Sequence, residues 1–256
     1  MPEGDTIHRA ARRVGEALVG TEIRSIEMPQ QRHSRDRWPE RLAGRDVRSV
    51  DAHGKHLFLR FDGELTLHSH LRMGGSWGVY PSGGRWHRPK YRAWLVIKTD
   101  EHEVVQFDGP VLELMTEGRT RFDQRLAALG PDVLAPEFDA EAFLERLRGE
   151  AQSRQVGDAL LDQRIVAGLG TVWKSEGCFL AGLSPWRRLS TVEDEQAVRV
   201  IREVRPLMTL SVQGERSRRW VFERAGRPCR RCSTPIEFRG QGDDNRNTYW
   251  CPECQR

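Results

Sequence analysis

Four of the chain's five cysteines fall into two pairs, Cys229-x2-Cys232 and Cys251-x2-Cys254, with eighteen residues between them. A Cys-x2-Cys turn presents two sulfurs to one point. Two such turns at this separation make the tetrahedral thiolate site of a structural zinc ribbon, and the intervening segment can form its hairpin. Two disulfides would leave an odd cysteine in a chain that otherwise reads as intracellular. It has no apolar run of membrane-spanning length and no basic-then-apolar start of a signal peptide. A soluble cytoplasmic protein with no membrane partner is expected. Cys178 lies in an apolar, helical stretch and reads as a small buried hydrophobe.

At 256 residues the chain can hold two domains with their own cores, or one large one. Its formal charge is +4, and four thiolates with one divalent zinc lower that by two. Global charge is therefore no argument for a polyanion partner; local clustering has to carry it. Residues 216–231 hold seven arginines against Glu223 alone, and that density beside a cysteine pair favours nucleic acid. Residues 132–150 hold six acids against Arg146 and Arg148, and read as a solvated helix face.

The hydrophobic period changes once along the chain. Ile7, Ala10, Ala11, Val14, Ala17 and Leu18 recur at helical spacing, with Gly20 as a stop. Strands are expected at 22–28, 46–52, 56–61, 65–71, 91–99, 104–107 and 111–115, separated by turns such as Asp62-Gly63 and Gly74-Gly75. A helix followed by a β-sandwich results. From about Gln124 the pattern is helical, with segments at 140–148, 156–163, 172–181 and 192–210.

Two stretches carry more than a fold. The chain opens Met1-Pro2-Glu3-Gly4-Asp5-Thr6. A proline at position 2 is an ordinary helix-entry residue, and with Met1 removed its nitrogen is a secondary amine. The second stretch, Leu160 to Phe179, reads LLDQRIVAGLGTVWKSEGCF. Its glycines permit backbone conformations closed to other residues and leave amides of the following helix N-terminus bare, a ready phosphate site.

MPEGDT, LLDQRIVAGLG before a helix, and VFERAGRPCRRC with RNTYWCPECQ at the end together resemble the formamidopyrimidine-DNA glycosylase/endonuclease VIII family over essentially the whole chain. PEGDT looks like the actinobacterial members of the endonuclease VIII branch. The resemblance implies an α+β, multidomain protein: an N-terminal helix plus β-sandwich, a helical domain with a helix–two-turn–helix motif, and a C-terminal zinc ribbon. The expected bounds are 1–118 for the catalytic sandwich, 119–130 for a linker, 131–225 for the helical domain and 226–256 for the ribbon. Duplex DNA is expected between the lobes.

The resemblance also assigns roles. Pro2 would be the nucleophile at the sugar C1′, forming an iminium that acidifies the C2′ protons and allows elimination of phosphate. Glu3 would be the catalytic acid. Lys55, in His53-Gly54-Lys55-His56, would grip phosphate near the lesion. Arg246 would clamp the phosphates flanking a flipped nucleotide, which suits the fork of a guanidinium. Met73 would fill the gap left by base flipping. Thr171 stands where relatives commonly have an asparagine that contacts phosphate; its reach is shorter. Residues 106–110, Gln-Phe-Asp-Gly-Pro, take the place of a wedge loop and lack the paired arginines of purine-type enzymes.

A bifunctional DNA glycosylase/lyase acting on damaged DNA is expected, removing oxidised pyrimidines through a Pro2 Schiff base with β,δ-elimination. It would be a monomer with one structural zinc. The alternatives are an oxidised-purine enzyme on the same scaffold and a non-catalytic zinc-ribbon protein that binds damaged DNA.

Overall fold

The computed structural model describes residues 2–30, 37–42 and 44–256. The expected removal of Met1 concerns a residue outside that set. The chain divides into two compact units, one of residues 1–2 and 6–127, the other of 3–5 and 128–256.

Helix α1 (Gly4–Leu18) belongs to the first unit from Thr6 onwards, and its residues Ile7, Ala11, Val14 and Leu18 enter the core there; Gly20 follows at φ +74. Two four-stranded antiparallel sheets come next. One has the order β1 (Ser25–Glu27), β6 (Ala93–Lys98), β7 (His102–Phe107), β5 (Ser76–Pro81). The other has the order β2 (Val47–His53), β3 (His56–Phe61), β4 (Leu65–His70), β8 (Val111–Thr116). Alternate residues such as Leu57, Leu59, Leu67, Leu95, Ile97 and Val104 meet in one core, the signature of a sandwich.

Two elements here depart from expectation. Strand β5 is not among the expected strands; it contains Gly78 and ends in Pro81. It lies at the edge of its sheet, where a proline breaks no ladder. Helix α2 (Trp38–Leu42) is one turn long and buries Trp38 and Leu42. The segment read as a linker, 119–130, is also not featureless: it holds most of α3 (Glu117–Phe122) and all of α4 (Gln124–Ala127).

The second unit packs α5 (Ala140–Arg148), α6 (Val156–Ala159), α7 (Thr171–Ala181) and α8 (Asp194–Gln213) around Phe143, Leu160, Trp173, Val200 and Met208. Helix α6 stops four residues before its expected end. Leu161, Asp162 and Ile165 amides bond three residues back, giving successive turns, and Gln163 spends its amide on the Leu161 and Leu169 carbonyls. Helix, two turns, helix is the result. The chain closes with the hairpin β9 (Glu237–Gln241) and β10 (Arg246–Trp250), flanked by the two cysteine pairs. Among the described residues no helix is long and apolar enough to cross a membrane.

Candidate active site and metal centre

Glu3 belongs with the second unit, although a boundary at 118 had assigned it to the first. Its side chain is 2% exposed and sits on the N-terminus of α7. One carboxylate oxygen accepts the Val172 amide at 2.9 Å and the other the Trp173 amide at 3.3 Å. A helix N-terminus offers unpaired N–H groups and positive potential, so a carboxylate is matched there in both geometry and sign. The glycines make the approach possible. A Cβ on Gly170 would lie 2.3 Å from the Glu3 carboxyl carbon, and one on Gly4 would lie 2.9 Å from Gly168, whose carbonyl accepts the Gly4 amide at 2.8 Å. Gly168 itself takes φ +102.

This corrects one expectation. The amides after Gly170 are not a bare phosphate site, because Glu3 takes two of them. Thr171, at the first position of α7, keeps only 8% of its surface.

Helix α7 then carries Lys174, Ser175 and Glu176 into the interior, each no more than 1% exposed. Glu176 accepts the amides of Trp220, Val221 and Phe222 at 2.9 to 3.2 Å. Ser175 takes the Tyr249 amide at 3.4 Å. The Lys174 ammonium donates to Thr248 Oγ1 in β10 and approaches Gln241 Oε1 in β9 at 3.4 Å. Burial pulls Lys174 down to about 8, ahead of the opposing pull of Cys178, Asp158 and Glu3. Gln241 is the residue paired across the hairpin with Arg246. One helix thus seats Glu3 at its start and tethers the Arg246 hairpin at its middle. None of Lys174, Glu176, Gln241 or Thr248 was singled out from sequence; the signal was the charged Lys174-Ser175-Glu176 set inside an otherwise apolar helix.

The four ribbon cysteines converge. All four sulfurs lie within 4.8 Å of one another, with Cys232 at 3.4 Å from both Cys251 and Cys254 and Cys229 at 3.8 Å from Cys254. Hydrogen bonds from Thr234 lead in pulling the Cys232 thiol down to about 6, while burial raises Cys251. The donor set fits a tetrahedral metal ion. Gln255 braces the second knuckle, accepting the Cys251 amide at 2.8 Å and donating to Leu183 O at 3.0 Å.

The arginine-rich stretch is only in part a polyanion surface. The guanidiniums of Arg219, Arg218 and Arg231 lie over Trp173, Trp220 and Phe179 at 4.4, 5.6 and 4.4 Å, so three of the seven pack against aromatic faces.

In the first unit, Lys55 occupies the β2–β3 turn beside Gly54 at φ +56. Met73 follows β4 at the same end of the sheet and is 65% exposed, an apolar side chain held outside the core. The loop after β7 is tied down. Gln106 and Phe107 are buried in the strand, and Asp108 pairs with Arg88 and Arg92, each at 2.7 Å. Arg88 also donates to Gly74 O at 2.9 Å, which ties this loop to the Met73 turn.

The chain belongs to the formamidopyrimidine-DNA glycosylase/endonuclease VIII family. Residues 1–125 match the formamidopyrimidine-DNA glycosylase N-terminal domain and residues 129–220 its H2TH domain. A probable endonuclease 8 2 of Streptomyces coelicolor is 40% identical over all of this chain and 94% of its own length. A DNA-(apurinic or apyrimidinic site) lyase of Mycolicibacterium smegmatis is 35% identical over 100% and 99%. The fold is shared with Lactococcus lactis formamidopyrimidine-DNA glycosylase, solved with DNA containing N7-benzyl-Fapy-dG: TM-score 0.84, 22% identity, both chains covered in full.

Proposed function

We propose that this protein is a bifunctional DNA glycosylase/abasic-site lyase that excises oxidised pyrimidines. The observation that carries the reading is the seat of Glu3: a carboxylate fixed by two helix amides, through an approach that only glycine allows, in the residue bonded to Pro2. A carboxylate held so rigidly next to a secondary amine is a positioned proton donor and acceptor beside a nucleophile.

In the proposed reaction the neutral Pro2 nitrogen attacks C1′ of the damaged nucleotide. An α-amine with an ordinary pKa of about 7.7–8.0 is partly neutral at working pH. Glu3 takes the proton that the Pro2 nitrogen loses and delivers it to O4′ as the sugar ring opens, the base departs as an anion that solvent protonates, and a C1′ iminium remains. The iminium withdraws electrons, C2′ loses a proton, and the 3′ phosphate leaves; a second elimination releases the 5′ phosphate. Lys55 and Arg246 hold phosphates through charge-assisted hydrogen bonds, and the exposed Met73 fills the space of the flipped nucleotide. Thr171, with little surface, is a minor phosphate contact at most. The pyrimidine preference is supported by the endonuclease 8 name of the more similar relatives and by residues 106–110, which carry no paired arginines.

The ribbon cysteines are assigned to one zinc ion. A Zn–S bond of about 2.3 Å sets a tetrahedral edge of about 3.8 Å, close to the sulfur separations here. The metal is structural: it ties the two knuckles and so holds the hairpin that presents Arg246.

The test is covalent trapping. Protein beginning at Pro2, incubated with abasic DNA and borohydride, is expected to give an adduct mapping to the N-terminal peptide. Glu3→Gln should suppress base release from an intact lesion more than strand cleavage at a preformed abasic site. An adduct that forms equally well with a blocked N-terminus would move the nucleophile elsewhere, with Lys55 the first candidate.

A further inference from the structure

The sheet β2–β3–β4–β8 turns one face to the sandwich core. Its other face carries two rows of titratable side chains set by strand register. His53, His56 and His70 stand directly opposite one another across β2, β3 and β4. In the next row, Phe58, His68 and Glu113 do the same across β3, β4 and β8. The first row adjoins the Lys55 turn.

Hydrogen bonds fix where each proton lies. Glu113 is held by the Arg125 guanidinium at 2.9 Å. Against the desolvation of its site, hydrogen bonds from Arg125 and His68 keep it below the usual carboxylate range, so it is ionised and can only accept. His68 Nδ1 lies 3.3 Å from it and therefore carries hydrogen. Burial keeps His68 neutral and pushes His56 down to about 2, so each imidazole bears one proton. His68 Nε2 is then a lone pair, and His56 Nδ1, 2.8 Å away, must donate to it. The chain ends in a lone pair at His56 Nε2. His70, packed edge-on to His56 at 4.7 Å, has the opposite arrangement: its Nδ1 accepts the Arg72 amide at 3.1 Å, so its hydrogen is on Nε2.

A lone pair beside a phosphate-gripping lysine is the wrong polarity for an anion. We propose that Glu113, His68 and His56 form a proton switch on the DNA grip, in which a phosphodiester bound at the Lys55 turn is taken up together with one proton that enters at His56 Nε2. This rests on the functional reading above. The proton comes from solvent. It turns His56 from acceptor to donor, and the positive charge is shared through His56 Nδ1–H and His68 towards the Glu113 carboxylate. Lys55, Arg72 and Arg125 oppose protonation, as do His53, His68 and His70 by coupling; Glu113 and Asp123 favour it. Without DNA, burial, the largest influence, together with the opposing charges keeps His56 neutral, and an incoming phosphate adds an opposite charge that favours its protonation.

The experiment is calorimetric titration of the zinc-loaded full chain with a duplex containing a non-cleavable abasic analogue. It is run between pH 6.5 and 8 in cacodylate and in Tris, buffers of different ionisation enthalpy. Net proton uptake that grows as pH falls is expected, with affinity rising towards lower pH. Glu113→Gln makes a sharper test. A glutamine can donate its amide N–H to His68 Nδ1, which reverses both tautomers and gives His56 an Nε2–H while neutral. That variant should bind DNA with less proton uptake and a flatter pH profile than the parent, the Pro2 amine being common to both. His56→Gln, at a half-buried strand end, should also bind with reduced uptake, and it covers the case in which Glu113→Gln does not fold. Tight wild-type binding without proton uptake, or uptake unchanged in both variants, overturns the switch. Failure of the wild type to bind abasic DNA at any pH overturns the functional reading itself.

Discussion

Helix α7 of the second unit and the β2–β3–β4–β8 sheet of the first both carry titratable groups away from solvent, and they satisfy them differently. On α7, Glu176 is met by three backbone amides and Glu3 by two, donors that cannot move or titrate. On the sheet, His56 and His68 are met by each other and by one carboxylate, so the proton inventory of the row can change. Backbone donors make a rigid seat; side-chain partners of similar acidity make an adjustable one. In the proposed reaction the acid partner of the nucleophile needs the first, because its geometry must not drift. A surface that meets DNA and then releases it can use the second.

The largest effect that would sharpen this contrast comes from the zinc proposed at the four cysteines. Cys251→Ser, or chelation, should remove zinc and unfold the ribbon, since structural zinc contributes on the order of 10 kcal/mol to such a site. DNA affinity should fall by orders of magnitude, while the sandwich, whose core contains no ribbon residue, keeps its near-ultraviolet spectrum. Normal DNA binding by metal-free protein would break the assignment.

Next in size is the rigid seat within α7. Glu176→Ala leaves three amides, one buried and two part-buried, without their carboxylate, and hydrogen bonds to charged groups contribute about 1.5–3 kcal/mol each. A loss of about 3 kcal/mol from the second unit is expected in urea titrations with unchanged m, at full zinc occupancy. If the variant is as stable as the parent, the 220–222 loop is held by something other than Glu176.

How much of this could be read from the sequence follows from how local each signal is. The ribbon was legible because sulfur chemistry restricts Cys229, Cys232, Cys251 and Cys254 to one purpose. Helix α5 was legible to the residue: Asp139 caps it, accepting the Ala142 amide at 2.8 Å, and Gly149 follows its end. Strand β3 was equally clear from its alternation. Strand β5 was not, because Gly78 and Pro81 are turn residues anywhere but on an edge. The seat of Glu3 joins residues almost 170 positions apart, and no local pattern announces it, although the glycines that permit it stood out. The histidine chain was hidden for another reason. His56, His68 and Glu113 come together only when three strands are in register, and a shift of one residue would turn each side chain to the opposite face.

The smallest effect, and the most discriminating, concerns Lys174. It is the exception on α7: an ammonium with no surface, met by a threonine hydroxyl and a glutamine oxygen rather than by fixed opposite charge. With a folded pKa near 8 against about 10.4 in the unfolded chain, the unfolded state binds more protons between those values. Stability should therefore rise as pH climbs from about 8 to 10, and at neutral pH the ammonium is a net cost of roughly 3 kcal/mol before its hydrogen bonds are credited. Lys174→Met keeps the length and apolar volume. It orphans nothing, because the Thr248 hydroxyl donates to Gln241 Oε1 at 2.8 Å and the Gln241 amide reaches Gln155 Oε1 and Pro185 O. The variant should be more stable than the parent by about 1–2 kcal/mol at pH 7, with the difference shrinking to nothing near pH 10. DNA binding should weaken severalfold, because the hairpin opposite Arg246 loses a tether from α7. Urea titrations of zinc-loaded protein at the two pH values measure the first, and a salt series of affinities the second. A variant destabilised equally at both pH values would show that the ammonium is well solvated by its two oxygens, and α7 would then contain no exception to its rigid satisfaction of charge.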